Sequence, residues 1–235
     1  MRALFLQHDH VSPPGPVAEA FSRRGFEIVE TVVVPKESYE APNVHFEHPD
    51  ASGFDVLVPM GAPWGAWDDA SIGNWLTPEL QWLAGAHAAD IPIFGICFGG
   101  QSLARALGGS VAPGPKAEIG WHVVHSDDES FVPHGPWFQW HYDRWTLPDG
   151  AKEIARSSVA SQVYVIGRSM GVQFHPEVTS RTLQMWCDTD GIPALVADGQ
   201  DPAALLAMTR AFDAEAVVRA DALVEAFLTR VAKLD

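Results

Sequence analysis

Short apolar runs alternate along the chain with stretches of helical spacing. Residues 3–6 (Ala-Leu-Phe-Leu) read as a first strand, residues 17–24 as a helix closed by Gly25, and residues 26–34, rich in β-branched side chains, as a second strand. Residues 55–60 give another apolar strand ending at Gly61. Helical spacing through Leu80, Leu83 and Ala84 predicts a helix over 78–89, after which 91–96 returns to strand. This β-α-β rhythm predicts an α/β fold with a mostly parallel central sheet flanked by helices. Residues 98–107 continue as a helix stopped by Gly108-Gly109, so Cys97 falls at a strand-to-helix turn.

Beyond Glu118 the rhythm changes. Strand-like stretches at 119–124, 137–141, 162–166 and 171–174 are broken by Asp127-Asp128, Pro133, Pro148-Asp149-Gly150 and Gly167, which predicts hairpins or a mixed extension of the sheet. Residues 179–187 and about 202–233 read as covering helices, the second amphipathic through Leu205, Leu206, Phe212, Val217, Leu223, Phe227 and Val231. No repeat, low-complexity tract or linker interrupts the chain, so a single domain over 1–235 is expected.

Composition narrows the function. In 235 residues, 47% hydrophobic content supplies a sizeable core, and a formal charge of -15 repels phosphate backbones and anionic lipid, which argues against nucleic-acid and membrane partners. Cys97 and Cys187 lie 90 residues apart without metal-type spacing, which favours a reducing compartment. The run at 3–6 is too short for a signal core or a span, so a cytoplasmic location is expected. His8-Asp9-His10 and the pair His45 and His48 lack matching ligands in a recognisable spacing; neither a metal nor a cofactor is expected. Trp64, Trp67 and Trp75 could wall a substrate or pack in the core, and nine tryptophans in all favour packing. Asp68-Asp69 reads as a turn or helix start.

The candidate chemistry centres on Gly95-Ile96-Cys97-Phe98-Gly99. A side chain at the tip of a strand-turn-helix elbow stands at the carboxyl edge of the sheet, and glycines two residues to either side permit a strained backbone there. The helix starting at Phe98 brings free N–H groups and a positive dipole end to the thiol. A buried structural cysteine would satisfy the same pattern. In Val172-Gln173-Phe174-His175-Pro176-Glu177, Pro176 favours extended backbone at His175, so His175 and Glu177 share a side and the carboxylate can fix the imidazole tautomer. Alone, this segment also suits a surface loop.

Taken together, Gly95-Ile96-Cys97-Phe98-Gly99-Gly100-Gln101, Ala106-Leu107-Gly108-Gly109, Gly171–Glu177, Met60-Gly61-Ala62-Pro63, Glu118-Ile119-Gly120-Trp121 and Trp140-His141-Tyr142-Asp143 resemble the triad-type class I glutamine amidotransferases, most of all free-standing domains similar to the glutaminase part of GMP synthase. The resemblance covers most of residues 1–190 and implies a flavodoxin-like fold with a nucleophile elbow. It implies attack by Cys97 on the glutamine carboxamide through a thioester, with His175 protonating the departing ammonia and Glu177 orienting His175. Backbone N–H groups of Phe98 and the Gly61-Ala62 loop would form the oxyanion hole. Gln101 would contact glutamine, and Trp140, Tyr142 and Asp143 would grip its amino-acid end. No synthetase region is read in the chain, so a separate acceptor subunit is the implied partner. Ala62 stands where the family has the second glycine of Gly-Gly-Pro, and Trp64 where a small residue is common; a positive φ at Ala62 would be strained. Two other functions compete: hydrolysis of another γ-glutamyl amide or peptide, and a non-catalytic regulatory subunit. The joint presence of Cys97, His175 and Glu177 stands against the last.

Overall fold

In the computed structural model, which describes residues 1–234, the opening is a parallel unit: β1 (Arg2–Gln7), α1 (Gly15–Arg23) and β2 (Glu27–Val32). It continues through β3 (Val56–Pro59), α2 (Asp69–Ala88), β4 (Ile93–Ile96) and α3 (Phe98–Ala106). A long ribbon follows, β5 (Ser110–Val123) and β7 (Pro136–Thr146), with the two-residue β6 (His125–Ser126) between them. Next come β8 (Lys152–Arg156), β9 (Ser161–Ile166), β10 (Ser169–Val172), α4 (Ser180–Trp186), α5 (Ile192–Ala197) and α6 (Pro202–Ala226).

Eight strands form one sheet in the order β2-β1-β3-β4-β10-β9-β8-β6. Its first five are mutually parallel and the last three add antiparallel, so the mostly parallel sheet and its mixed extension are both present. β5 and β7 pair only with each other, antiparallel, with an irregularity between Pro113 and Glu118.

The alternation of side chains in β1 divides the core. Ala3 and Phe5 join Val17 and Phe21 of α1 and Leu223 of α6 on one face. Leu4 and Leu6 join Ile72, Trp75 and Leu83 of α2 and Leu103 of α3 on the other. Each wholly buried Leu, Ile, Val or Phe among these contributes roughly 1.5–3 kcal/mol. A smaller cluster, Ile119, Phe138, Leu183, Leu195 and Leu205, fastens the β5-β7 ribbon to the C-terminal helices.

Several boundaries differ from the periodicity. The helix expected from residue 78 begins nine residues earlier, where the Asp68 side chain caps it by accepting from Ser71 N–H, and Pro78 lies inside it. Burial of Ile72, Trp75, Leu76, Glu79 and Leu83 at helical spacing holds both halves against the sheet despite the proline. β10 ends at Val172, two residues before the expected end, so Gln173 and Phe174 belong to the loop that carries His175. The C-terminal helix changes to π-type winding over Phe227–Ala232. The periodicity does not mark β8 or α5, because Lys152–Arg156 is half polar and Ile192–Ala197 is a single short helix. No helix among the described residues is long and apolar enough to cross a membrane.

Candidate active site

The carboxyl ends of β1, β3, β4 and β10 lie side by side, and each leads into a segment that matters: His8, Gly61, Cys97 and the loop to His175. Ligands in parallel α/β sheets collect at this edge because the loops there converge while the strands stay rigid.

Cys97 has φ 48° and ψ -106°, a sparsely populated conformation for a side-chain-bearing residue. Packing over-determines it. A Cβ on Gly95 would stand 2.6 Å from the Gly99 carbonyl oxygen, and one on Gly99 would collide with the carbonyl oxygen of Pro59. Only glycine lets strand, helix and the neighbouring strand approach this closely. Cys97 N–H donates to Val172 O at 2.7 Å, and Cys97 O accepts from Gln101 N–H at 2.9 Å, locking the elbow to β10 and α3.

His175 is pinned by its backbone N–H to Phe138 O at 2.8 Å. Its Nδ1 lies 2.7 Å from Oε1 of Glu177, which is fully buried, so the carboxylate accepts the Nδ1 proton and leaves Nε2 free; Nε2 has no partner among the described residues. Burial disfavours a charged ring here, but the Cys97 sulfur and the Glu177 carboxylate outweigh it and hold the His175 pKa well above the ordinary 6.5. The histidine and the cysteine both flank Gly61: a Cβ there would lie 3.0 Å from His175 Cε1 and 4.0 Å from Cys97 Cβ.

A cleft of about 420 Å³ opens over these groups, and Gly61, Ala62, Cys97, Phe98, Gln101, Trp140, Tyr142, Asp143 and His175 all line it, with Glu177 behind His175. Ala62 does not have positive φ, so alanine carries no strain there. Neither Ala62 N–H nor Phe98 N–H donates to an acceptor among the described residues, the latter because it opens a helix. Gln101 is buried rather than exposed; its Nε2 donates to Gln173 Oε1 at 3.1 Å and to Asp143 O at 3.4 Å. Tyr142 stands half exposed at the rim, and burial pushes the Asp143 carboxyl up against the opposing pull of Trp67 and His141. The tryptophans divide: Trp75 is core, while Trp64 and Trp67 face the cleft.

The structure gives places in the site to residues that the sequence reading left without a role of their own. Gln173 Nε2 lies 3.6 Å from Cys97 Sγ, and the two-residue alternation that pairs His175 with Glu177 pointed at it. Glu118, whose carboxyl is lowered because hydrogen bonds from His141 and Ser157 outweigh burial, holds His141 at 3.1 Å behind the Trp140–Asp143 segment. Tyr39, Trp186 and Asp190 close the far side of the cleft, and no sequence signal marked them. A thiol beside a tautomer-fixed imidazole and two unbonded N–H groups can attack a carbonyl and hold the resulting oxyanion.

Similarity to known proteins identifies the family. The family profile described as Glutamine amidotransferase class-I matches residues 70–187. The chain is 34% identical over 139 residues to a glutamine-hydrolyzing GMP synthase subunit of Ignicoccus hospitalis, covering 55% of this chain and 70% of that one. It is 31% identical over 194 residues to the glutamine-hydrolyzing GMP synthase of Aeropyrum pernix, covering 76% of this chain but only 35% of that protein, so it spans about a third of the longer relative. A crystal structure of a glutamine amidotransferase from Thermotoga maritima superposes with a TM-score of 0.82 at 27% identity, covering 97% of this chain and 98% of that one.

Proposed function

This chain belongs to the class-I glutamine amidotransferase family, and on that premise we propose that it hydrolyses the side-chain amide of glutamine to glutamate and ammonia, with Cys97 as nucleophile. The reading is carried by one observation. The strained Cys97 shares one cleft with a buried imidazole-carboxylate pair and with Ala62 and Phe98, whose backbone N–H groups are unbonded, and this supports the reading.

In this mechanism the Cys97 thiolate forms a C–S bond to the amide carbon while the carbonyl electron pair moves to oxygen. The N–H groups of Ala62 and Phe98 stabilise that oxyanion, each worth about 3 kcal/mol in related acyl transfers. Collapse breaks the C–N bond, and His175 Nε2 gives its proton to the departing ammonia. Water then attacks the thioester, passes a proton to His175 and releases glutamate and thiolate. Glu177 holds the ring in register throughout. Asp143 offers a carboxylate to the α-ammonium of the substrate, with Trp140 and Tyr142 beside it, and Gln101 supports Asp143 and Gln173 from below. A separate chain would take the ammonia, as the name of the Ignicoccus protein, a synthase subunit, suggests for that protein. Both cysteines are free thiols, in keeping with a reducing compartment such as the cytoplasm.

A second reading, hydrolysis of a larger γ-glutamyl amide, has its own support. The cleft runs past Cys97 to Tyr39, Trp64 and Asp190, and its volume suits a ligand larger than one amino acid. The test is a substrate panel, glutamine against γ-glutamyl peptides, with labelling of Cys97 by a glutamine-like chloroketone. Turnover of the peptides alone selects the second reading; labelling that persists in Cys97→Ala removes the nucleophile assignment common to both.

A further inference from the structure

His8 lies two residues beyond Leu6 on the same side of β1, wholly buried between Phe98, 4.7 Å away by ring centroid, and Trp75, 5.5 Å away. Its Nδ1 is 3.2 Å from Gly61 O, and its Nε2 is 3.1 Å from each oxygen of Glu79, also wholly buried. A backbone carbonyl has no proton to give, and an ionised Glu79 equidistant from Nε2 through both oxygens likewise offers only acceptors. A neutral imidazole has one N–H and cannot serve both.

We infer that His8 is a positioning residue for the oxyanion site: its imidazolium, held by Glu79, grips the Gly61 carbonyl and thereby aims the Ala62 N–H into the cleft.

The peptide between Gly61 and Ala62 is trans, so its C=O and N–H point in opposite directions. With the carbonyl drawn toward His8, the Ala62 N–H points away from His8, and the Cα of Gly61 that precedes this peptide stands next to His175 and Cys97. A Cβ at position 61 would press on the His175 ring at 3.0 Å, which favours glycine there, yet glycine leaves the orientation of the following peptide unrestrained. Pro63 restricts Ala62 but does not select between the two orientations of that peptide. The His8 grip does. Burial opposes the charge on His8, but Glu79 and the Gly61 carbonyl outweigh it and raise the His8 pKa. The Glu79 carboxyl is brought down to about 2 as His8 and His48, the latter 3.5 Å away, overcome its burial.

The inference rests on the proposed nucleophile and oxyanion donors, and it is tested by three variants and one spectrum. Glu79→Gln removes the charge that keeps the second ring proton, and His8→Gln keeps a donor toward Glu79 but none toward Gly61. His8→Asn keeps a donor near the Nδ1 position. The expected result for Glu79→Gln and His8→Gln is a kcat lower by roughly 10- to 100-fold, with KM within about twofold and unchanged alkylation of Cys97 by iodoacetamide, because the lost interaction is made only in the transition state. His8→Asn is expected to regain most of what His8→Gln loses. Equal loss in both His8 variants, or loss shared by KM and alkylation, overturns the positioning role. Independently of activity, a long-range 1H–15N spectrum of the unsubstituted protein near neutral pH should show both His8 nitrogens protonated; one protonated nitrogen overturns the inference even if glutamine is hydrolysed. Absence of turnover and of chloroketone labelling in that protein removes the proposed function instead, and the spectrum still decides the grip on Gly61.

Discussion

His175 Nδ1 and Glu177 Oε1 are 2.7 Å apart across a single proline, both buried, with the other imidazole nitrogen unbonded. A general acid-base group held this way contributes roughly 10²- to 10⁴-fold to rate. His175→Asn is therefore expected to lower kcat for ammonia release by that factor. Glu177→Gln, which keeps the shape and loses the charge, should give a smaller loss, and Cys97→Ala should abolish turnover. Steady-state ammonia assays on the three variants check the order; a Glu177→Gln enzyme slower than His175→Asn would contradict it.

The elbow should tolerate no added methyl group. Gly99→Ala drives a Cβ into a backbone oxygen of β3, which neither strand nor helix can yield without moving, and the expected cost is about 3 kcal/mol or more. Gly85→Ala serves as the contrast: it lies on the exposed face of α2 with nothing within 4 Å of the new Cβ, and it should stabilise by about 0.5–1 kcal/mol. Urea unfolding midpoints separate the two.

Restoring the family's glycine should bring no benefit. Ala62 does not have positive φ, so Ala62→Gly relieves no strain and enlarges the unfolded ensemble. We expect a loss of about 0.4–1 kcal/mol in stability and no rise in kcat. A faster Ala62→Gly enzyme would mean that the loop must reach a conformation closed to alanine.

The buried His8 and Glu79 pair gives stability a defined pH window. The folded carboxyl of Glu79 titrates at about 2 against an ordinary 4.5, so its contribution is present above pH 4.5 and is lost as pH falls toward 2. His8 is raised in the folded state; its contribution is complete below its ordinary 6.5 and is lost as pH rises through the higher folded value. Denaturation across this range should show greatest benefit from the pair between pH 4.5 and 6.5. The stability gap between the unsubstituted protein and Glu79→Leu should narrow toward pH 2, and a gap that stays constant there would rule out this linkage.

Much of the site's chemistry was legible locally. Strand-helix alternation, Gly95 and Gly99 around Cys97, and the extended His175-Pro176-Glu177 segment are short-range patterns, and backbone sterics act over that same short range. Helical spacing starts α2 at Pro78, which imitates a first helical residue, whereas the helix starts at the Asp68-Asp69 signal, where Asp68 is the cap.

What only the tertiary structure decided is adjacency. β10 pairs in parallel with β4, Val172 opposite Ile96, and this places the His175 loop beside the Cys97 elbow across more than seventy residues of chain. β1 beside β3 sets His8 under Gly61, and α2 packed over the same face brings Glu79 to it. The amino-acid sequence by itself determined which groups could do chemistry and the local backbone that presents them. Strand order and helix packing decided which of them touch, because those follow from burying both faces of the sheet at once, a condition that no local window of residues expresses.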